Sequence, residues 1–272
     1  MDELYSYFAG LHHVAQALIG TVFTWGMTAV GAAVVLWTRK VRQRFLDAML
    51  GFAGGVMIAA SFWSLLSPAV ALSEGMRALP AWFPAALGFA LGGLFMLGVD
   101  KLLPHLHPNA KLKDAEGINP AAWKRSTLLV LAITLHNIPE GLAVGVSFGA
   151  HADQIGLNPA IALAIGMGIQ NLPEGLAVSL PLRSVGYSRT KSFWFGQMSG
   201  MVEPVAAVLG ALAVAQLEPL LPYALSFAAG AMIFVTVEEV IPGAQENGHK
   251  DLAAVSLMAG FVLMTILDVA LG

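Results

Sequence analysis

Eight long apolar stretches dominate the sequence and constrain its fold more than any other feature. Each has about 20 residues or more, the length that an α-helix needs to cross the roughly 30 Å of hydrocarbon in a bilayer. Charged residues make up only 11% of the chain, and the mean hydropathy is +0.73. A soluble domain usually carries about 25% charged residues, so this chain cannot cover an ordinary water-facing surface. The sequence therefore predicts an all-α integral membrane protein.

The chain reads as one polytopic membrane domain over residues 1–272, with a single long loop at about residues 101–125. The eight predicted spans lie near residues 11–37, 46–67, 80–100, 126–150, 158–182, 191–216, 219–242 and 251–271. With eight crossings, 13 of the 14 Lys and Arg residues fall on one side of the membrane, and only Arg77 falls on the other. Basic residues near span ends stay in the cytoplasm. We therefore expect a cytoplasmic 101–125 loop and both termini outside the cytoplasm.

Composition excludes several classes of protein. The chain has no cysteine, which rules out disulfide scaffolds, thiolate zinc sites, iron–sulfur clusters and thiol nucleophiles. The net charge of −3 gives no reason to expect nucleic acid as a partner.

One polar motif occurs twice inside the apolar spans. Residues 136–141 read His-Asn-Ile-Pro-Glu-Gly and residues 170–175 read Gln-Asn-Leu-Pro-Glu-Gly, and both continue with Leu-Ala-Val. Consecutive spans run in opposite directions, so the two copies are predicted to be antiparallel. At ~1.5 Å per residue, both motifs and Glu203 of the sixth span lie roughly 20 Å below the outer ends of their helices. Three neighbouring helices thus present polar side chains near the midplane.

The motif combines carboxylates, amides and proline in a pattern that favours a cation. Within each copy the first residue, the Asn and the Glu share one helix face. Pro139 and Pro173 free the carbonyl groups four residues before them, which can then line a polar cavity. The interiors of the spans contain no Lys or Arg, so the motif glutamates and Glu203 must be neutralised by protons or by a metal ion. One imidazole, from His136, among carboxylate and amide oxygens suits zinc, with iron and manganese as alternatives.

Other residues could extend this site. Met57 in the second span is a ligand or a packing residue. On the predicted cytoplasmic side, Asp100, Glu239 and His249 either form an inner waypoint for a cation or are solvated groups at helix ends.

The two Pro-Glu-Gly motifs resemble those of the ZIP family of divalent metal transporters, and the chain is similar to its bacterial GufA-like branch over nearly its whole length. The resemblance implies that the transported ion is held by five residues, with Met57 as a further ligand: His136, Glu140, Gln170, Glu174 and Glu203. It implies that Asn137, Asn171 and the three glutamates form an adjacent second site. Many members have His where this chain has Gln170, and close relatives have Asp where it has Asn171.

The same resemblance implies a homodimer in the bacterial inner membrane. It also implies an elevator-like movement of spans 1, 4, 5 and 6 against the other four, and no prosthetic group. The metal ion, Zn²⁺ or another divalent ion such as Cd²⁺, Fe²⁺ or Mn²⁺, is then the cargo.

These observations favour a secondary transporter, not an enzyme, that carries zinc or a similar ion into the cytoplasm through a midplane site on spans 4, 5 and 6. An intramembrane metalloprotease is an alternative because zinc held by His and Glu can activate water, although the sequence lacks His-Glu-x-x-His. A proton relay or a carrier of a non-metal substrate is the third interpretation.

Overall fold

Every regular element among the described residues is a helix, which confirms the predicted all-α class. The computed structural model describes residues 2–38, 41–74, 79–104, 117, 125–150, 156–184, 186–216 and 218–271, so most of the predicted 101–125 loop lies outside them. The α-helices are α1 (Asp2–Ala9), α2 (His13–Ala33), α3 (Gln43–Ala60), α4 (Ser67–Glu74), α5 (Trp82–Leu102), α6 (Arg125–Gly149), α7 (Leu157–Ser184), α8 (Arg189–Met198), α9 (Val202–Gln216), α10 (Leu221–Val235), α11 (Ile241–Gln245) and α12 (Lys250–Leu271).

Seven helical segments among the described residues are long and apolar enough to cross a membrane. They are His13–Leu36, Gln43–Glu74, Trp82–Leu102, Leu157–Arg183, Arg189–Val214, Leu221–Gln245 and Lys250–Leu271. Helix α6, with 25 residues, occupies the position of the predicted fourth span but is not among the seven. The chain is therefore a multi-pass helical membrane protein, and the count of eight spans stays a prediction.

Two of the long helices contain a π-helical segment, and each segment ends two residues before a proline. Residues Ser61–Leu66 join α3 to α4 ahead of Pro68, and residues Thr236–Val240 join α10 to α11 ahead of Pro242. Proline lacks an N–H and crowds the carbonyl group four residues earlier, and a π turn widens the helix at that point. The second span consequently continues to Glu74 rather than ending near residue 67.

The helices pack most closely in four pairs, and glycine residues allow the short distance between the two helices of each pair. Helix α3 packs on α12, α5 on α10, α2 on α7, and α6 on α9. In every pair, glycines face a backbone carbonyl group of the partner helix, where an added Cβ would overlap the oxygen. These glycines are Gly51, Gly55 and Gly260 for α3–α12; Gly88, Gly92 and Gly230 for α5–α10; Gly31 and Gly175 for α2–α7; and Gly141 and Gly145 for α6–α9. Small residues promote such close packing in lipid, where no hydrophobic force draws helices together.

The outer surface is apolar in the way that a lipid-facing surface requires. Helix α12 presents five aliphatic or Met side chains that are each more than half exposed: Val255, Met258, Val262, Ile266 and Val269. Their spacing places them along one stripe of the helix.

We expect Gly55→Ala to lower the thermal unfolding temperature of the detergent-solubilised protein. The new Cβ would overlap the carbonyl oxygen of Leu257, and overpacking of this kind typically costs about 1–3 kcal/mol. Gly98→Ala is the matched control because nothing lies within 4 Å of its added Cβ, and alanine has the higher helix propensity. Equal unfolding temperatures for the two variants would show that Gly55 does not set the α3–α12 distance.

Candidate metal site

The two motifs lie inside α6 and α7, and the third carboxylate lies at the start of α9. Pro139 is inside α6 and Pro173 is inside α7. Glu203 is the second residue of α9, directly after a 3₁₀ turn at Ser199–Met201. Gly141, next to Glu140, lies against the backbone of Glu203, and Asn171, one turn before Glu174, donates to the Glu203 carboxylate at 2.9 Å. The structure therefore brings the three carboxylates close together in space.

The glycine that ends each motif explains how the neighbouring helices approach the site. Gly141 follows Glu140 and lies against the backbone of Glu203 in α9, while Gly175 follows Glu174 and lies against the carbonyl oxygen of Thr28 in α2. A side chain at either glycine would push the neighbouring helix away. Helices α2 and α9 therefore reach the level of the motif carboxylates only because both motifs end in glycine.

The predicted ligands are almost completely removed from solvent, and several of their polar atoms have no partner. None of the eight is more than 9% exposed: Met57, His136, Asn137, Glu140, Gln170, Asn171, Glu174 and Glu203. Among the described residues, no hydrogen-bond partner is found for five oxygen atoms: Asn137 Oδ1, both carboxylate oxygens of Glu140, Gln170 Oε1 and Glu174 Oε2. A buried acceptor without a donor typically costs about 1–3 kcal/mol. Five acceptors left in this state are a set that a cation would satisfy.

Glu203 is different, because donors occupy its carboxylate. The Asn171 amide donates to both oxygens, Oε1 at 2.9 Å and Oε2 at 3.0 Å, and the Thr24 hydroxyl of α2 donates to Oε2. Gln170 Nε2 donates to Asn171 Oδ1 at 2.5 Å, which leaves the Gln170 oxygen as its unpartnered atom.

Sequence reasoning missed Thr24. Its only signal is the spacing of Thr21, Thr24 and Thr28 along one face of an otherwise apolar span, and hydroxyl groups in membrane helices usually bond their own backbone.

His136 points toward a second acidic group. Its Nε2 lies 2.5 Å from Glu239 Oε1. Ligand oxygens of Glu239, Glu238 and Asp100 lie within 4.8 Å of one another, close enough to hold one metal ion. The structure thus brings two of the further candidates, Asp100 and Glu239, together beside His136. The π-helical segment Thr236–Val240 carries both glutamates of this acidic cluster.

Two remaining candidates have other contacts. Met57 is 1% exposed, and its sulfur accepts a hydrogen bond from Thr236 Oγ1 at 3.6 Å, so it lies against the segment that carries the acidic cluster. His249 Nδ1 lies 2.7 Å from a carboxylate oxygen of the fully buried Asp47. His249 thereby joins the start of α12 to α3.

A cavity of about 570 Å³ connects the buried ligands with one end of the helices. His136, Glu174, Glu238 and Glu239 line it, together with residues near helix ends: Gln43, Gln245, Glu246 and Lys250. A separate cavity of about 470 Å³ lies at the opposite end, where His12, Gln16 and Ser147 contribute to its walls. The two cavities share no lining residue. Of the two, only the first is lined by predicted ligands.

Comparisons with known proteins agree with the resemblance that the motifs indicated. The family model described as ZIP Zinc transporter matches residues 113–268, more than half of the chain. Zinc transporter ZIP11 of Homo sapiens is 44% identical, with 97% of this chain and 99% of that protein covered. Zinc transporter GufA of Myxococcus xanthus is 42% identical, with 97% and 99% covered. Zinc transporter ZIPB of Bordetella bronchiseptica is 43% identical, with 96% and 82% covered.

The relatives cover 96–97% of the chain, and the range of the family model contains both motifs and Glu203. The chain belongs to the ZIP zinc transporter family.

Proposed function

We propose that this protein is a carrier that moves Zn²⁺, or a similar divalent ion, into the cytoplasm through the centre formed by α6, α7 and α9. The relatives in three organisms are named zinc transporters. The observation that carries the proposal is the group of unpartnered buried oxygens on α6 and α7, of which the Glu174 carboxylate belongs to a residue that lines the 570 Å³ cavity. A group of acceptors without donors has no role in packing, but it suits a cation that binds and leaves.

The ion is held mainly by α6 and α7. Glu140 and Glu174 supply two negative charges, which match the charge of a divalent ion, and Gln170 supplies an amide oxygen. His136 adds a nitrogen ligand when its Nε2 turns from Glu239 to the ion. Zinc accepts nitrogen and oxygen ligands at about 2.0–2.2 Å. Cadmium, iron and manganese compete for the same ligands, with selectivity set by the balance of nitrogen and oxygen.

Charge indicates which side of the membrane the 570 Å³ cavity faces. The 570 Å³ cavity opens where Gln43 and Lys250 begin α3 and α12, and Arg42 and Arg44 lie beside Gln43 in the sequence. Basic residues mark the cytoplasmic side. This supports a carrier whose centre is open to the cytoplasm in the present conformation and closed to the opposite cavity.

The acidic cluster of Asp100, Glu238 and Glu239 is a second binding site for the ion, between the centre and the cytoplasm. His136 connects the two sites, because its Nε2 contacts Glu239 while the rest of α6 presents Glu140 to the centre. Nε2 donates a proton when it contacts the Glu239 carboxylate, but it must offer its lone pair to bind an ion, so it cannot do both at once. An ion that reaches His136 therefore displaces the contact with Glu239, and an ion that leaves restores it.

We expect Glu140→Gln and Glu174→Gln each to reduce zinc uptake into proteoliposomes by roughly a hundredfold. Each substitution removes one of the two negative charges that neutralise the ion. The loss of one charged interaction in a buried site has about this magnitude. The substitution preserves side-chain shape, so the folded fraction should not change. Asp251→Asn is the control, since Asp251 is an exposed carboxylate in the first turn of α12. Uptake at the parental rate in either Glu variant would refute the assignment of the site.

Gln170→His should change selectivity more than capacity. It replaces an amide oxygen by an imidazole nitrogen on the same helix face, which favours zinc and cadmium over manganese. Uptake of radioactive zinc in competition with manganese and cadmium measures the change. A competition profile identical to that of the parent protein would mean that Gln170 does not contact the ion.

Asn171→Asp should allow the centre to bind a second metal ion. The substitution turns the donor that holds Glu203 into an acceptor, and two adjacent carboxylates repel each other unless a proton or a cation lies between them. Metal bound per purified protein is the measurement. Asn158→Asp is the control, because it makes the same change at the far end of α7, where the side chain accepts from Tyr5 at 2.8 Å. Equal stoichiometry in both variants would exclude a second site at Asn171.

A further inference from the structure

Helix α2 carries none of the ligands that the sequence indicates, yet one of its side chains contacts the centre. We propose that Thr24 is a positioning residue: together with Asn171 it holds the carboxylate of Glu203 in a hydrogen-bonded clamp, which keeps that carboxylate away from the ion and limits the centre to one tightly bound metal. This inference rests on the proposed function, because it concerns how the same site treats its cargo.

The clamp is complete on both oxygens of Glu203. Asn171 Nδ2 reaches Oε1 at 2.9 Å and Oε2 at 3.0 Å, and the Thr24 hydroxyl donates to Oε2. Asn171 Nδ2 also lies 3.2 Å from the backbone oxygen of Thr24, which ties α7 to α2 at the same point. Thr24 and Asn171 are fully buried, and Glu203 is 1% exposed, so water does not compete for these bonds.

The other two carboxylates are not held by a pair of donors in this way. Both oxygens of Glu140 and one oxygen of Glu174 lack a partner among the described residues. Hydrogen bonds to an ionised carboxylate are roughly twice as strong as neutral ones. A cation arriving at the centre therefore binds first to Glu140 and Glu174, because binding to Glu203 would require breaking bonds to Thr24 and Asn171.

The role is specific to Thr24 among the buried hydroxyl groups of α2. The Thr21 hydroxyl donates to the backbone oxygen of Ala17 at 2.7 Å, and the Thr28 hydroxyl donates to that of Thr24 at 3.4 Å. Both bonds stay within the helix. The Thr24 hydroxyl also lies 3.1 Å from the Thr21 carbonyl oxygen, but its single proton goes to the stronger acceptor, which is the carboxylate.

Thr24→Val tests the clamp because valine has nearly the same shape and no hydroxyl. It leaves Glu203 Oε2 with Asn171 as its only donor in a buried site, and a metal ion can take the place of the lost hydroxyl group. We expect zinc to bind about tenfold to a hundredfold more tightly, the factor that corresponds to one charge-assisted hydrogen bond. We also expect slower uptake, since a more tightly held ion is released more slowly. Thr24→Ser keeps the hydroxyl and should restore both parental values.

The measurement is the zinc dissociation constant of the purified full-length protein by competition with a chelator, alongside the uptake rate in proteoliposomes. Thr21→Val is the matched control, because it removes a buried hydroxyl from the same helix without touching Glu203. A merely structural role for Thr24 would weaken zinc binding or leave it unchanged, and either result would overturn the proposal. If Thr24→Val does not fold, Thr24→Ala is measured in the same way and judged by the same criterion.

The proposal and the function that underlies it fail in different ways. Parental zinc affinity in Thr24→Val, with zinc binding lost in Glu140→Gln, would remove the clamp and leave the transport site intact. Parental zinc affinity in Glu140→Gln would remove the site itself. Tighter binding in Thr24→Val and parental affinity in Thr21→Val would support the clamp.

Discussion

Three carboxylates are buried in helices whose interiors contain no Lys or Arg, and the rest of the structure must satisfy this constraint. A charge at bilayer depth costs at least about 2.5–3.5 kcal/mol on insertion scales. The structure meets the cost in two ways. Glu203 receives hydrogen bonds from Thr24 and Asn171, whereas Glu140 keeps two unpartnered oxygens. The hydrogen bonds to Glu203 are always present, whereas the oxygens of Glu140 have a partner only while a cation is bound.

Backbone irregularities direct these polar groups. Proline inside α6 and α7 precedes each motif glutamate directly, and the glycine that follows lets another helix approach. In the α10–α11 segment, a π turn ahead of Pro242 presents Glu239 to His136. The polar route therefore depends on prolines and glycines that contribute no ligand themselves.

Much of this arrangement could be predicted from the sequence, because hydropathy and spacing depend on nearby residues alone. The repeated motif and the depth of Glu203 follow from counting residues along helices, and the structure brings the helix turns that carry these carboxylates together. Contacts between distant helices could not be predicted in that way. Thr24 meets Glu203 across 179 positions, and His249 meets Asp47 across 202.

The extension of the second span to Glu74 was also not predicted from the sequence. The predicted span ends directly before Pro68, but the helix continues past this proline because the π segment before it accommodates the missing N–H. Whether a proline ends a helix or widens it depends on the neighbouring helices, which no local pattern describes.

The glycine contacts also determine how far this sequence can vary. At most buried positions, a smaller or similar side chain can replace the original at modest cost, but no amino acid is smaller than glycine. At Gly55, Gly92, Gly141 and Gly175 the partner helix leaves no room for even one carbon atom. Every substitution at these positions adds atoms where the glycine already touches the backbone of the partner helix. Chains with this fold should therefore diverge freely on their lipid-facing surface while the glycine positions remain fixed.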